Sequence, residues 1–174
     1  MKASRAILFL SILACFFGSH CCAQDHRILN TAYAKMLKSL LKHNVPEMSC
    51  QQLVESKENY ILLDTRELRE YSVSHLKNAR QVSYDQFRLD LVKDIPKSTP
   101  IVCYCSVGYR SEKVAKQLID AGYQSVWNLY GSSFEWANRN LPLVDSTGQT
   151  VQRIHAYNRL WGRYMKNPSI QKVY

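Results

Sequence analysis

One segment of the sequence places a nucleophile, a fixed positive charge and a conformationally free residue close together. It consists of Cys105, Ser106, Val107, Gly108, Tyr109, Arg110 and Ser111. Gly108 lets the chain curl without a side-chain clash, and Arg110 keeps its positive charge at every physiological pH. Because the thiolate is the reactive form of a cysteine, this combination predicts a nucleophilic Cys105, with Arg110 attracting an oxyanionic substrate.

The neighbouring elements predict where this segment lies. Residues 100–104 are typical of a buried strand, and 111–121 have the apolar spacing of a helix that ends at Gly122. A loop between a parallel strand and a helix lies at the edge of the sheet where α/β proteins bind ligands. Its N–H groups and the positive end of the helix stabilise an anion. We therefore expect a pKa for Cys105 well below about 8.5, and a site that also stabilises a persulfide.

Two other interpretations of the cysteines are less favoured by the sequence. A cysteine after a strand is most often a small buried residue, but Ser106, Gly108 and Arg110 do not build an apolar core. Cys103 lies on the same side of the strand as Cys105 if the chain stays extended, and a strained disulfide between them would be a redox switch. A buried thiol is the expected state of Cys103.

The region from about residue 46 to 142 alternates short β-rich runs with amphipathic stretches. This alternation is typical of an α/β fold with a mainly parallel sheet. Strands are predicted at 60–64, 79–82, 100–104 and 125–129, with a weaker one at 47–48. Helix starts are predicted at two capping boxes, Ser49 with Gln52 and Ser83 with Gln86.

Two segments flank this core. Residues 24–44 form a predicted N-terminal amphipathic helix, whose apolar face over 28–41 packs on the domain. Residues 144–174 form a basic aromatic C-terminal extension with a second predicted helix. The apolar side of that helix would consist of Ile154, Tyr157, Trp161 and Tyr164. Arg159 and Arg163 lie opposite, as a solvated basic face or, alternatively, a surface for nucleic acid or membrane.

Residues 1–23 resemble a secretory signal peptide. Two positive residues precede an apolar stretch at 6–14, and 21–23 offer small residues for cleavage. The stretch is shorter than the roughly 20 residues that span a bilayer. We expect export to a bacterial periplasm. Cys15 keeps a lipoprotein open as an alternative, and membrane association would require that lipid.

Composition supports one domain with a working thiol. Removing 23 of the 174 residues leaves 151, enough for one core that buries about 70% of the unfolded surface. Loss of Lys2 and Arg5 lowers the net charge from +9 to +7. The remaining cysteines are Cys50, Cys103 and Cys105, an odd number that argues against a disulfide scaffold.

Residues 45–143 resemble the rhodanese-like domains, beginning with a motif in three parts. Asp64-Thr65-Arg66 is followed by Glu70-Tyr71 and then by residues 74–79. The family normally has glycine where Ser74 stands. The resemblance implies an open parallel β-sheet flanked by helices, to which this chain adds an N-terminal helix and a C-terminal helical tail.

Two further motifs carry the resemblance. The Cys105 loop is similar to the family's active-site loop, and residues 129–136 are similar to its closing segment, although Ser132 replaces a glycine. The family's sulfurtransferases use a six-residue loop, whereas related cell-cycle phosphatases use seven. Arg110 is the fifth residue after Cys105, which gives the shorter loop. The resemblance therefore favours sulfur transfer over phosphate hydrolysis.

The resemblance implies a double displacement through a persulfide on Cys105. A small anionic donor such as thiosulfate gives its outer sulfur and releases sulfite, and the sulfur then passes to a thiol or cyanide. The amides of 106–111 would hold the sulfur, and Tyr109 would shape the mouth of the site. Asp64 and Arg66 would brace the loop, or form an ordinary ion pair. No cofactor and no metal are expected.

Two other functions stay open from the sequence. A binding module would present the basic extension, with Arg159 and Arg163, to an acidic partner or an anionic surface; nucleic acid is not expected as a partner. An exported thiol redox protein would use Cys103 with Cys105. His75 has the chemistry of a base, but an amide-stabilised thiolate needs none, and we expect a structural role for it.

Overall fold

The computed structural model describes residues 27–174. The predicted signal peptide at 1–23, and with it the expected export and lipidation, lies outside the described residues. Within residues 27–174, no helix has both the length and the apolar character needed to cross a membrane.

Five parallel strands form the central sheet, in the order β1-β5-β4-β2-β3. They are β1 (Glu47–Met48), β2 (Ile61–Asp64), β3 (Arg80–Gln81), β4 (Ile101–Tyr104) and β5 (Val126–Leu129). The predicted strands are confirmed, each to within one residue at either end. All four residues of β4 are buried, because helices cover both faces of the sheet at its centre. The loop of Cys105 therefore begins in the middle of the sheet.

Five helices surround this sheet, and a short 3₁₀ helix covers Leu89–Val92. They are α1 (Thr31–Leu40), α2 (Cys50–Glu55), α3 (Leu68–Val73), α4 (Tyr109–Asp120) and α5 (Ser132–Asn138). Val114 and Leu118 of α4 pack with Leu63 on one face of the sheet. Tyr33 and Leu37 of α1 pack in the core of the opposite face. The predicted α/β fold with an added N-terminal helix is confirmed.

Of the two predicted capping boxes, one begins a helix in the structure and the other does not. The Ser49 box is confirmed: Ser49 Oγ accepts the Gln52 N–H at 3.1 Å, and the Gln52 side chain accepts the Ser49 N–H at 2.8 Å. The Ser83 box is wrong, because residues 84–86 form turns and no helix begins there. The Ser83 hydroxyl instead donates to Glu67 Oε1 at 2.6 Å. A contact distant in the sequence therefore replaces the predicted cap.

The predicted C-terminal helix is also wrong. The segment holds one helical turn, α6 (Arg159–Gly162), and four short strands: β6 (Leu143–Val144), β7 (Thr150–Val151), β8 (Arg153–His155) and β9 (Gln171–Val173). β6 pairs with β7 antiparallel, and β8 pairs with β9 in parallel. Tyr157 adopts a left-handed φ of 63°, which a right-handed helix cannot include. A helix can therefore begin only after it, at the Asn158 cap.

Candidate active site

The sulfur of Cys105 lies at the carboxyl end of β4, inside a loop that turns directly into α4. The Gly108 N–H donates to Cys105 Sγ at 3.1 Å, and the Ser111 N–H also bonds to this sulfur. Gly108 has φ 109° and is the N-cap of α4, so the helix begins at Tyr109, two residues before the predicted start. Asn128 of β5 holds the turn by donating to the Gly108 carbonyl at 3.0 Å. The expected ring of amides is thus represented by two N–H groups on the sulfur.

The three described cysteines are all free thiols, and electrostatics separate Cys105 from the other two. Burial raises the pKa of Cys105, but the Arg110 charge and the N–H groups of Ser111 and Gly108 more than offset burial and leave its pKa below the ordinary value. Burial raises the pKa of Cys50 to about 12 and raises that of Cys103 as well. Cys105 is therefore the described cysteine with the greatest tendency to form a thiolate.

Arg110 is clamped by a carboxylate that the sequence analysis did not single out as a site residue. Its Nη1 and Nη2 donate to Glu70 Oε2 and Oε1 at 2.7 and 2.8 Å, and Nη2 also donates to Ser106 Oγ at 3.0 Å. Burial raises the pKa of Glu70, but its hydrogen bonds with Arg110 and the Arg110 charge lower it to about 2. Arg110 thus fixes the loop in an ion pair while it also lines the cavity, and its expected attraction of an anionic donor stays a prediction.

The start of α5 supports the loop from behind. Cys105 N–H donates to Ser132 Oγ at 3.1 Å, and the carbonyl of Cys105 accepts the Ser133 N–H at 3.1 Å. Ser132 has a left-handed φ of 50°, a conformation that suits the glycine of the family pattern. Gly131 leaves no room for a side chain, because a Cβ there would lie 2.6 Å from Glu135 Cβ and 2.5 Å from Ile28 Cδ1. Ser132 therefore keeps the backbone turn and adds a hydrogen bond to the reactive residue.

Asp64 and Arg66 form a fully buried ion pair with each other. Arg66 Nε donates to Asp64 Oδ1 at 2.9 Å, and Arg66 Nη2 donates to the Ser74 carbonyl at 2.8 Å. Neither residue lines the cavity beside Cys105. The pair supports the loop from two directions: Ser74 directly follows α3, the helix that carries Glu70, and Asp64 pairs in the sheet with Tyr104, the residue before Cys105.

A cavity of about 390 Å³ opens beside Cys105. The side chains of the reactive loop that line it are Cys105, Ser106, Val107, Tyr109 and Arg110. Tyr109 lines the cavity and is 38% exposed. Gly108 and Ser111 of the loop are not among the lining residues but hold the sulfur from within.

Three lining residues come from the flanking segments and were missed as site residues. Leu40 comes from α1, and Tyr157 and Trp161 come from the C-terminal extension. Sequence analysis assigned both aromatic residues to the packed side of a helix. Their aromatic character was the available signal, but their position depends on β8 and α6, which helical periodicity did not predict.

Two other residues with reactive chemistry lie elsewhere. His75 stacks on Tyr71 with ring centroids 3.7 Å apart, and its Nδ1 lies 3.1 Å from the Tyr71 carbonyl. It does not line the cavity. Cys103 packs in the core with Leu63 and Ile101. In residues 27–174, no three His, Cys, Asp or Glu side chains group as metal ligands.

A sequence model of the rhodanese-like domain matches residues 49–139, more than half of the 174-residue chain. The chain belongs to the rhodanese-like domain family. Solved structures share this rhodanese-like fold. A protein of Bacillus halodurans has a TM-score of 0.54 at 23% identity, over 67% of this chain and 86% of that one. A thiosulfate sulfurtransferase of Pseudomonas aeruginosa has a TM-score of 0.53 at 19% identity, over 77% of this chain and 26% of that one.

Curated relatives match this chain over part of its length. A tRNA uridine(34) hydroxylase of Cronobacter sakazakii is 34% identical over 84 residues, and one of an Enterobacter species is 33% identical over 84 residues. The match covers 45% of this chain and 24% of each relative. The family match ends at residue 139, so Tyr157 and Trp161 lie beyond it.

Proposed function

We propose that the protein is a sulfurtransferase that carries sulfane sulfur as a persulfide on Cys105. The observation that carries this proposal is a cysteine of lowered pKa, held by main-chain N–H groups at the wall of a cavity. A lowered pKa increases the thiolate fraction, and the thiolate is the nucleophile in displacements at sulfur. Membership of the rhodanese-like family supports the same chemistry.

The first step uses thiosulfate or a similar small anionic donor. The Cys105 thiolate attacks the outer sulfur of thiosulfate, a bond forms between the two sulfurs, and the sulfur–sulfur bond of the donor breaks. Sulfite leaves with the electron pair of that bond, and Cys105 becomes a persulfide. One sulfur atom moves and no external oxidant is needed, so the step balances without a cofactor.

The second step returns the enzyme to its starting state. A thiolate or cyanide attacks the outer sulfur of the persulfide, and Cys105 leaves as a thiolate. Main-chain N–H groups are suited to both steps, because they stabilise negative sulfur without being consumed. The Gly108 and Ser111 groups already bond to Sγ. Arg110 adds charge close to the sulfur, although Glu70 compensates part of it.

The structure offers less support for the two other functions. Of the basic residues in the extension, Arg163 donates to the Tyr164 hydroxyl at 2.9 Å, and Arg159 lies 5.9 Å from the Tyr174 ring centroid. Both arginines therefore make contacts within the extension itself. Cys103 is fully buried with a raised pKa, which disfavours a role in thiol exchange. We also do not extend the hydroxylation named for the curated relatives to this chain, because the match covers only 24% of each.

The signal-like residues 1–23 add a cellular proposal: the enzyme acts in an exported compartment such as a bacterial periplasm. Membrane attachment would then depend on a lipid at Cys15. Fractionation of a bacterium that expresses the full chain tests this point. Recovery in the cytosolic fraction with residues 1–23 intact would contradict it.

Mass spectrometry tests the reaction. The purified protein is incubated with thiosulfate, and we expect one added sulfur atom on Cys105. Cys103→Ser is the matched control and should still gain the sulfur, whereas Cys105→Ser should not. Absence of the added sulfur from the unaltered protein, together with no thiosulfate-dependent formation of thiocyanate from cyanide, would overturn the proposal.

A further inference from the structure

The cavity beside Cys105 is larger and more aromatic than the proposed inorganic reactants require. Thiosulfate and cyanide are compact ions, whereas a cavity of about 390 Å³ falls in the range of sites for organic ligands, roughly 300–1,000 Å³. Its apolar and aromatic lining consists of Leu40, Val107, Tyr84, Tyr109, Tyr157 and Trp161. Such a lining favours an organic molecule with an apolar part.

The two aromatic residues from the extension are held in place. Ser74 Oγ donates to the Arg153 carbonyl at 2.7 Å, which anchors β8 beside α3. The Tyr157 N–H donates to His155 Nδ1 at 3.0 Å, and the Tyr157 ring centroid lies 5.4 Å from the Arg110 guanidinium carbon. The extension therefore places one wall of the cavity against the residue that fixes the reactive loop.

Trp161 is fixed in a similar way. The backbone N–H of Trp161 donates to Asn158 Oδ1 at 3.0 Å, and this bond caps the start of α6. The Trp161 ring packs against Tyr164 with ring centroids 6.4 Å apart. Tyr164 is buried and stacks on Tyr33 of α1. The wall is therefore ordered before a ligand arrives, which lowers the entropy cost of binding.

The charges around the cavity do not favour a polyanionic organic ligand. The ionisable lining residues, apart from the reactive cysteine and the tyrosines, are Glu67, Arg69, Asp85 and Arg110. They comprise two acids and two bases, and Glu70 already compensates Arg110. Outside the lining, Lys113 lies over the Tyr109 ring, 4.2 Å from its centroid. A ligand with little charge fits this balance better than one with several negative groups.

We infer that Tyr157 and Trp161 form an acceptor subsite, and that the acceptor is a low-molecular-weight thiol with an apolar or aromatic body. This inference rests on the proposed function of Cys105. The acceptor thiol releases its proton to solvent, and its sulfur attacks the outer persulfide sulfur. A new sulfur–sulfur bond forms, the bond to Cys105 breaks, and its electron pair restores the Cys105 thiolate. The aromatic wall binds the body of the acceptor while its sulfur reaches the persulfide.

The test measures the two half-reactions separately. Cys105 is first loaded with thiosulfate, and loading is followed by mass spectrometry. The loaded protein is then discharged with benzyl mercaptan, with mercaptoacetate or with cyanide. We expect a KM for benzyl mercaptan about tenfold lower than that for mercaptoacetate, the size of effect expected when one aromatic group is buried in part.

Variants test whether Tyr157 and Trp161 cause the preference for benzyl mercaptan. Trp161→Ala should raise the KM for benzyl mercaptan about tenfold, a much larger change than in the cyanide reaction. Trp161→Phe should give an intermediate KM. Tyr157→Asn should act like Trp161→Ala, since it also removes an aromatic ring from the cavity. Asparagine is chosen at position 157 because it tolerates the left-handed backbone. Leu160→Ala is the matched control: Leu160 lies in the same helical turn, is 59% exposed and does not line the cavity.

The outcomes separate the two proposals. If thiosulfate fails to load Cys105, the proposed function is overturned, and the acceptor subsite with it. If Cys105 loads but discharges as readily to mercaptoacetate as to benzyl mercaptan, only the acceptor subsite is overturned. Equal losses with benzyl mercaptan and cyanide in Trp161→Ala would also overturn the subsite, since they would indicate a purely structural role.

Discussion

Glu70 binds both terminal nitrogens of Arg110, at 2.7 and 2.8 Å, and thereby joins α3 to the first turn of α4. Ser106 completes this network by donating to Glu70 Oε1 at 3.0 Å. Because Ser106 and Arg110 lie on either side of Gly108, one carboxylate fixes both halves of the reactive loop. The position of the Cys105 sulfur therefore depends on an ion pair between residues 40 positions apart.

Removing this carboxylate should lower the stability of the folded protein. Glu70→Gln leaves Arg110 without its charged partner, and we expect a loss of about 2–3 kcal/mol in the free energy of unfolding, reduced from the fully buried case because Arg110 is partly exposed. Urea denaturation measures the loss. Asp90→Asn, at an exposed ion pair with Arg88, is the control and should leave the unfolding midpoint unchanged. A stability for Glu70→Gln equal to that of the control would contradict the role of the clamp.

The lowered pKa of Cys105 predicts its reactivity with pH. Alkylation by iodoacetamide follows the thiolate, so the rate should rise with pH and reach half its maximum below about 8.5, the ordinary cysteine value. Cys50 and Cys103 should not react in the folded protein, because burial raises the pKa of both thiols. Cys105→Ser, which should show no fast alkylation, is the control. A midpoint at or above the ordinary value would show that burial outweighs Arg110 and the amides.

The same shift predicts a change of stability with pH. A thiol whose pKa is lower when folded contributes stability that is fully present above the unfolded pKa and is lost as pH falls through the folded pKa. The free energy of unfolding of the unaltered protein, relative to Cys105→Ser, should therefore increase with pH up to about 8.5. Denaturant titrations across this range measure the difference. A difference that stays constant, or that decreases with rising pH, would contradict the lowered pKa.

Gly131 and Gly122 allow backbone strain to be separated from a side-chain clash. Both have left-handed φ, 78° and 88°, but a Cβ at Gly131 would lie 2.5 Å from Ile28 Cδ1, whereas nothing lies within 4 Å of one at Gly122. We expect Gly122→Ala to cost about 1 kcal/mol and Gly131→Ala at least about 3 kcal/mol. Thermal and urea unfolding of both variants test this order. Equal losses would mean that both Ile28 and Glu135, whose Cβ would lie 2.6 Å away, move aside without cost.

Ser132 predicts an unusual order among its substitutions. Its hydroxyl accepts the Cys105 N–H and donates to the Leu129 carbonyl, each at 3.1 Å, while its backbone has a left-handed φ. Ser132→Ala loses both bonds and keeps the strain, so we expect a loss of about 1–3 kcal/mol. Ser132→Gly loses the same bonds but relieves the strain, and should be the more stable of the two. Urea unfolding of both variants gives the order, and the reverse order would contradict this account.

Local patterns predicted the sheet and the reactive loop well. The runs that became β2 and β4 are consecutive apolar residues, and such runs identify buried parallel strands without knowledge of their neighbours. Cys105, Gly108 and Arg110 lie within six positions of one another, so their spacing alone brings them together. The start of α4 was misplaced by two residues, because Gly108 acts as the cap instead of Ser111.

Contacts between distant segments determine the features of the fold that local sequence patterns did not predict. Helical spacing from Ile154 to Tyr164 matched an amphipathic helix, but pairing of β8 with residues 171–173 and the left-handed Tyr157 determine the fold there. The hydroxyl of Ser83 bonds to Glu67 instead of capping a helix. Neither interaction has a signature within a short window of sequence. The placement of Tyr157 and Trp161 beside the cavity and the ion pair of Glu70 with Arg110 are likewise contacts between residues distant in the sequence.

The pairing of β8 with β9 also determines when the pocket can be completed during synthesis. Cys105 and its loop leave the ribosome well before Gln171–Val173, which supply the strand beside β8. The two sides of the cavity therefore come from segments that are translated at different times, since Gln171–Val173 follow Cys105 by more than 60 positions.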